Sequence, residues 1–210
     1  LQSAITVIDN TTGNVVALAG GVGEKTGSLL TNRATQSLRQ PGSSIKPIAV
    51  YAPALDLGVI TPATVIDDSP YSFDGEGGSP WPVNAVGYYS GLTNVYTAVE
   101  ESMNTVAVKV LGYYTSPQVA FDFLVNNLGF STDHLVVQEE INGTTYSDIG
   151  LAQMALGGLT NGVTTLEMAA AYAAFPRGGL YIEPRTYTRV EQTDQHTGVV
   201  TVLLDNVQES

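Results

Sequence analysis

The run Arg39-Gln40-Pro41-Gly42-Ser43-Ser44-Ile45-Lys46-Pro47-Ile48-Ala49-Val50-Tyr51-Ala52 decides how the rest of the chain is read. Pro41-Gly42 breaks the chain, and the residues after it read as a helix. Its first turn carries Ser43 and tolerates Pro47, because early helical N–H groups have no intrahelical partner. Residues three apart share a helix face, so the Ser43 hydroxyl and the Lys46 amine can meet. A serine at a helix start also lies near backbone N–H groups able to hold a developing oxyanion. Lys46 acts as a base only if it loses its proton, which burial and a second nearby cation favour. Ser44 lacks a lysine at the same spacing. Taken alone, the pattern also describes an N-cap serine and an exposed lysine.

Working outward, Asn94–Leu111 has helical patterning interrupted at Ser102-Met103-Asn104. The interruption predicts two helices meeting at a short polar loop. A hydroxyl at Ser102 near Lys46 could relay a proton, and the Asn104 carboxamide could hold a substrate carbonyl or orient the lysine. Between the two motifs, residues 58–92 are rich in loop formers, with Pro62, Pro70, Pro80, Pro82, Gly75, Gly77 and Gly78. Such a long irregular stretch lines a site more often than not. Trp81, Tyr88 and Tyr89 could wall a groove there or simply pack. Asp67 and Asp68 read as turn residues.

At the flanks, Ala4–Asp9 and Val15–Ala19 around Asn10–Asn14 predict a hairpin. Its nearly continuous apolar runs suggest a sheet covered on both faces. Pro117–Leu128 ends at Gly129 as an amphipathic helix. Ile149–Leu156 and Thr165–Phe175 form a helix, turn and helix around Gly157-Gly158, with Thr164 and Glu167 as a start signal. Thr186–Val190 and Gly198–Leu204 alternate as two strands. Strands, then helices, then strands predict an α+β fold: an antiparallel sheet packed with a helical cluster.

Composition excludes several function classes. The 210 residues carry 8 Lys+Arg against 20 Asp+Glu, a net charge of −12 that repels phosphate backbones and anionic lipid, so no nucleic-acid partner is expected. There is no cysteine, hence no disulfide, thiol chemistry or Cys-ligated zinc. His134 and His196 are the only histidines and sit in no metal or triad motif, so neither a metal nor a cofactor is expected. No apolar run is long enough to span a bilayer. No leader opens the chain at Leu1, so any signal or anchor is expected outside these residues.

Around these motifs the text closely resembles class A (bifunctional) penicillin-binding proteins. The resemblance rests on Asn32-Arg33-Ala34-Thr35-Gln36 leading into Arg39–Pro47, on Tyr89-Ser90-Gly91-Leu92-Thr93 leading into Glu101–Ala107, and on Gly157-Gly158 followed by Gly162–Ala169, Gly178-Gly179 and Pro184. S-x-x-K and an S-D-N-type triplet are two of the three motifs of that family. The resemblance implies a serine β-lactamase/transpeptidase-like fold and a D,D-transpeptidase of peptidoglycan synthesis. It implies that Ser43 is the nucleophile, Lys46 the base, Ser102 the proton relay and Asn104 the clamp on the donor amide; Trp81 is a candidate substrate contact only as an aromatic of the irregular stretch. Stem peptides ending in D-Ala-D-Ala would be donor and acceptor, β-lactams covalent inhibitors, and the extracytoplasmic face of the bacterial cell membrane the location.

The third motif is expected as a K-T-G strand after Pro184. Lys25-Thr26-Gly27 spells it before the nucleophile, in the wrong order, and reads as coincidence. The resemblance therefore implies a partial transpeptidase domain over 1–210, without its glycosyltransferase domain, whose K-T-G strand is expected on a second chain or fragment, or is absent. Two rivals share Ser43 and Lys46: a serine β-lactamase, for which Glu139 and Glu140 are the candidate carboxylates, and a non-catalytic β-lactam sensor. An acidic turn beside Asn142-Gly143 accounts for the two glutamates more simply.

Overall fold

A computed structural model describes residues 1–72 and 79–205. Gly75, Gly77 and Gly78 of the loop-rich reading lie outside the described residues. The architecture is α+β, as expected. Among the described residues the strands form four two-stranded antiparallel ribbons around a helical core: β1 (Ile5–Ile8) with β2 (Val15–Ala19), β3 (Val65–Asp68) with β4 (Gly91–Asn94), β5 (Glu139–Ile141) with β6 (Thr144–Tyr146), and β7 (Arg189–Thr193) with β8 (Val200–Asp205). The hairpin at the start is present but is not covered on both faces. Ile5, Val7 and Val16 are exposed, because α7 (Thr165–Tyr172) packs against β1 and the described residues put no second layer over the outer side.

The core forms around the segment that follows Ser43. Ile45, Ile48, Ala49, Val50 and Tyr51 are all buried, the pattern of a helix surrounded on every side. It is not one regular helix. Gly42–Ile45 is a 3-10 turn, Pro47–Tyr51 a π-helical turn, and Ala52–Asp56 (α2) an α-helix. Pro47 is the physical reason: it has no N–H to continue an α-helical ladder. The ladder tightens before it, with Lys46 N–H on the Ser43 carbonyl, and widens after it, with Ala52 N–H on the Pro47 carbonyl. Around this rod pack α4 (Asn104–Tyr113), α5 (Pro117–Leu128) and α6 (Leu151–Leu156). α5 stops at left-handed Gly129, as its sequence predicts, and begins on the Ser116 hydroxyl, a cap the sequence reading did not single out.

The irregular stretch is closed at its ends by the β3–β4 ribbon, which pairs Asp68 with Gly91 and Val65 with Asn94. Asp67 and Asp68 are therefore strand residues, not turn residues, and Asp68 is 1% exposed. Asn94 then caps α3 (Val95–Glu100) through Thr97 N–H. β7 starts three residues later than its alternation suggests, at Arg189.

Candidate active site

Two helical connections bring the site together. The first presents Ser43 on the 3-10 turn, solvent-exposed, one turn before Lys46, which is 2% exposed. This turn is seated by the loop after α6. Arg39 and Val163 exchange backbone hydrogen bonds of 3.0 and 2.9 Å, and the Gln40 amide donates to Leu159 O at 3.0 Å. The approach is close enough to require glycine. A Cβ on Gly157 (φ +73°) would stand 2.3 Å from the Gly42 carbonyl oxygen, and one on Gly162 (φ +90°) 2.3 Å from the Arg39 carbonyl carbon. Two glycines of the family-like text thus let backbone touch backbone beneath the serine. Ser44 is committed elsewhere: its hydroxyl donates to Pro41 O at 2.6 Å, and its carbonyl accepts from Tyr172 OH at 2.7 Å.

The second connection joins α3 to α4. Ser102 N–H bonds Val99 O and Met103 N–H bonds Ala98 O, the paired bonds of a Schellman ending. Ser102 takes the left-handed position there at φ +52°, normally glycine's. That turn points both Ser102 oxygens at Lys46. The Lys46 amine donates to Ser102 O at 2.6 Å, Ser102 Oγ at 3.2 Å and Asn104 Oδ1 at 2.6 Å. Lys46, Ser102 and Asn104 are therefore one hydrogen-bonded group. Ser43 stands one turn earlier, exposed, and makes no hydrogen bond to Lys46, whose three N–H groups go to Ser102 and Asn104.

Burial lowers the Lys46 pKa from 10.5 to about 8. Its partners are neutral oxygens, and among the described residues it takes part in no ion pair. An ammonium uses all three acceptors. A neutral amine has two N–H groups and a lone pair, and the lone pair must then accept from a hydroxyl.

Trp81 is partly buried, packs against the core and lines a shallow depression with Leu151, Ala152 and Gln153. It lies two residues before Val83, whose carbonyl accepts from Asn104 Nδ2 at 2.8 Å. Tyr88 is exposed. Lys25 lies on an exposed segment beside a separate cavity of about 330 Å³ lined by Gln2, Gly21, Asn32 and Arg33, which shares no residue with the Lys46 group. Glu139 and Glu140 are exposed on the β5–β6 hairpin, whose turn is Asn142-Gly143. His134 Nδ1 lies 2.7 Å from Glu167 Oε1, and His196 is in the exposed β7–β8 turn.

The sequence reading missed Asp68 and Asn84. Asn84 Oδ1 accepts from Asn104 N–H at 2.9 Å, and its Nδ2 donates to both Asp68 oxygens at 2.8 and 3.0 Å. Only the burial of two polar residues inside a loop-rich stretch distinguishes them, and burial is not written in the local sequence.

A serine near a buried, hydrogen-bonded lysine with a hydroxyl and a carboxamide beside it is the equipment of acyl transfer through a serine ester. A family model described as the penicillin-binding protein transpeptidase domain matches residues 3–206. The chain belongs to that family, whose reaction is the transpeptidation of peptidoglycan in cell-wall synthesis. Its relatives are of the class A kind that its motifs resemble. It is 40% identical over 200 residues to penicillin-binding protein 1A of Clostridium acetobutylicum, covering 90% of this chain and 22% of the relative. It is 35% identical to penicillin-binding protein 1A of Neisseria lactamica over 92% of this chain and 22% of the relative. The crystal structure of penicillin-binding protein 1A from Haemophilus influenzae superposes with a TM-score of 0.73 at 31% identity, over 97% of this chain and 27% of that one. The chain thus spans about a fifth of the length of the curated relatives it matches.

Proposed function

We propose that this chain carries the nucleophile half of a D,D-transpeptidase site. Ser43 Oγ attacks the penultimate D-Ala carbonyl of a stem peptide and gives its proton to neutral Lys46. The C–N bond breaks, and the departing D-Ala nitrogen takes a proton through Ser102. The acyl group rests as an ester on Ser43 until the amine of a neighbouring stem displaces it and returns the serine proton. Asn104 holds the donor amide, and Trp81 borders the donor groove. A β-lactam enters as a donor whose leaving group stays attached, and so stops at the ester. The observation that carries this reading is the Lys46 amine, buried and held by Ser102 and Asn104, one turn beyond an exposed Ser43.

A late K-T-G strand completes the site, supplying a cation and an oxyanion-hole N–H. The domain works on the extracytoplasmic face of the bacterial membrane. Among the described residues no helix is long and apolar enough to cross a membrane. Glu139 and Glu140, the carboxylates of the β-lactamase reading, are exposed on the β5–β6 hairpin and, among the described residues, no carboxylate bonds to Lys46.

The test is mass spectrometry after incubation with labelled penicillin, with and without a polypeptide carrying the K-T-G strand. A stable adduct on Ser43, absent in Ser43→Ala, is expected. The added polypeptide should raise its rate by about 100-fold, the usual worth of an oxyanion donor. Rapid labelling without it, or labelling elsewhere, overturns the reading. Turnover of nitrocefin points to a β-lactamase, and an adduct that never passes to a D-amino acid points to a sensor.

A further inference from the structure

α4 starts without a cap of its own. Met103 occupies the N-cap position and its side chain accepts no hydrogen bond from the first turn. The cap comes from another segment. Asn84 Oδ1 accepts from Asn104 N–H at 2.9 Å and from Thr105 N–H at 3.3 Å, the role an N-cap side chain plays. The preceding residue holds the other end of Asn104, since Val83 O accepts from Asn104 Nδ2. Val83-Asn84 therefore grips Asn104 by its backbone and its side chain, leaving Oδ1 aimed at Lys46.

Asn84 is itself pinned. Its Nδ2 donates to both Asp68 carboxylate oxygens and to Tyr88 O. The same carboxylate accepts from Ser90 N–H and Thr105 Oγ1. Burial pushes the Asp68 carboxyl up, but the hydrogen bonds from Thr105, Ser90 and Asn84 and the charge of Lys109 outweigh it and hold the group below its usual range. Lys109 is anchored alongside on Asp67 O, Ser69 O and Ser69 Oγ. Among the described residues, the ionisable groups near Asn84 are Asp68, Lys109 and, at the edge of the same recess, Glu101 and Tyr88.

We infer that Asn84, locked by the buried Asp68 carboxylate, is a positioning residue that caps α4 from outside and so sets where Asn104 meets Lys46. Through Val83 and Asn84 the irregular stretch between the motifs thus acts on the Lys46 group by way of Asn104. The inference rests on the reading of Lys46 as the base.

The test compares acylation by labelled penicillin across pH in the whole polypeptide that carries these residues, as wild type, Asn84→Ala and Asn84→Asp. Asn84→Ala frees Asn104 and should lower the plateau rate by about 10- to 100-fold. It should also move the midpoint to lower pH, because the ammonium loses an acceptor. Asn84→Asp keeps an acceptor on both amides but sets two carboxylates together. It should retain most of the rate while the pair shares a proton and lose it as pH rises. Equal loss at every pH in Asn84→Asp, or a wild-type profile in folded Asn84→Ala, overturns the inference while leaving Ser43 and Lys46 standing. If Asn84→Ala does not fold, the Asn84→Asp profile alone decides. Failure of the wild type to label at Ser43 defeats the underlying reading instead.

Discussion

Lys46 and Ser102 each hold a conformation or a charge state that an ordinary surface residue would not. Burial disfavours the ammonium of Lys46, so the folded state holds fewer protons than the unfolded chain between about pH 8 and pH 10.5. The burial penalty is fully present below that window and relieved as pH rises through it. A pKa lowered from 10.5 to about 8 corresponds to about 3 kcal/mol. Urea midpoints of wild type should therefore rise relative to Lys46→Met as pH passes from 8 to 10.5, and acylation should climb to a plateau above about pH 8. Lys46→Arg, which keeps its proton at any working pH, should abolish that climb. Ser102 carries the opposite trade. At φ +52° it occupies the position where glycine ends a helix without steric cost. Ser102→Gly should stabilise the fold by about 1 kcal/mol in thermal unfolding, yet slow acylation by about 100-fold through loss of the relay hydroxyl.

At the scale of elements, close loops and capped helix ends hold the two motifs in register. Gly157 and Gly162 seat the Ser43 turn, while Asp148, fully buried, accepts from Val136 N–H and from Thr160 N–H and Oγ1 to brace the same region. α7 starts on a reciprocal cap between Thr164 and Glu167, as the pair suggests in sequence. Glu167 does more than cap. It also accepts from Ser131 N–H at 3.1 Å and sits on His134 Nδ1. Burial pushes its carboxyl up, but hydrogen bonds from Thr164, Ser131 and His134 prevail and hold it below the ordinary value of 4.5. Its contribution to stability is therefore present above that value and lost as pH falls through the lowered one. Glu167→Gln should flatten the acid limb of the urea-midpoint curve and cost about 1–3 kcal/mol at neutral pH. An unchanged acid limb would assign the loss to other carboxylates.

Across the whole molecule, stability is concentrated in the helical core. Ile45, Ile48, Val106, Leu111, Leu124, Met154 and Leu159 are fully enclosed, whereas β7 and β8 are exposed along their entire length. A two-stranded ribbon exposed in this way is marginal in water. Val190, Val200, Val202, Leu203 and Leu204 are its exposed apolar residues. Hydrogen exchange should show rapid loss of the amides of β7 and β8 and of β1 and β2. Amides of α4 and α6 should exchange only through global unfolding. A polypeptide that completes the site should slow the ribbon amides. Equal protection of ribbons and core would contradict this division.

The sequence by itself determined the two motifs, most helix starts and stops, and the family. Those signals are local: a hydroxyl and an amine three residues apart, a Ser-Met-Asn break between helices, Thr164 as a cap, Gly129 and Gly157 as stops. It did not reveal the irregular turns around Pro47, or that Ser43 and Lys46 make no hydrogen bond to each other. Only the tertiary structure decided that the lysine turns inward to Ser102 and Asn104. It alone brought Asp68 at the end of β3 and Asn84, sixteen residues later in an unpatterned stretch, under the first turn of α4. The physical reason is that periodicity records which face is apolar, whereas a buried polar contact is satisfied by whichever segment folding brings within about 3 Å.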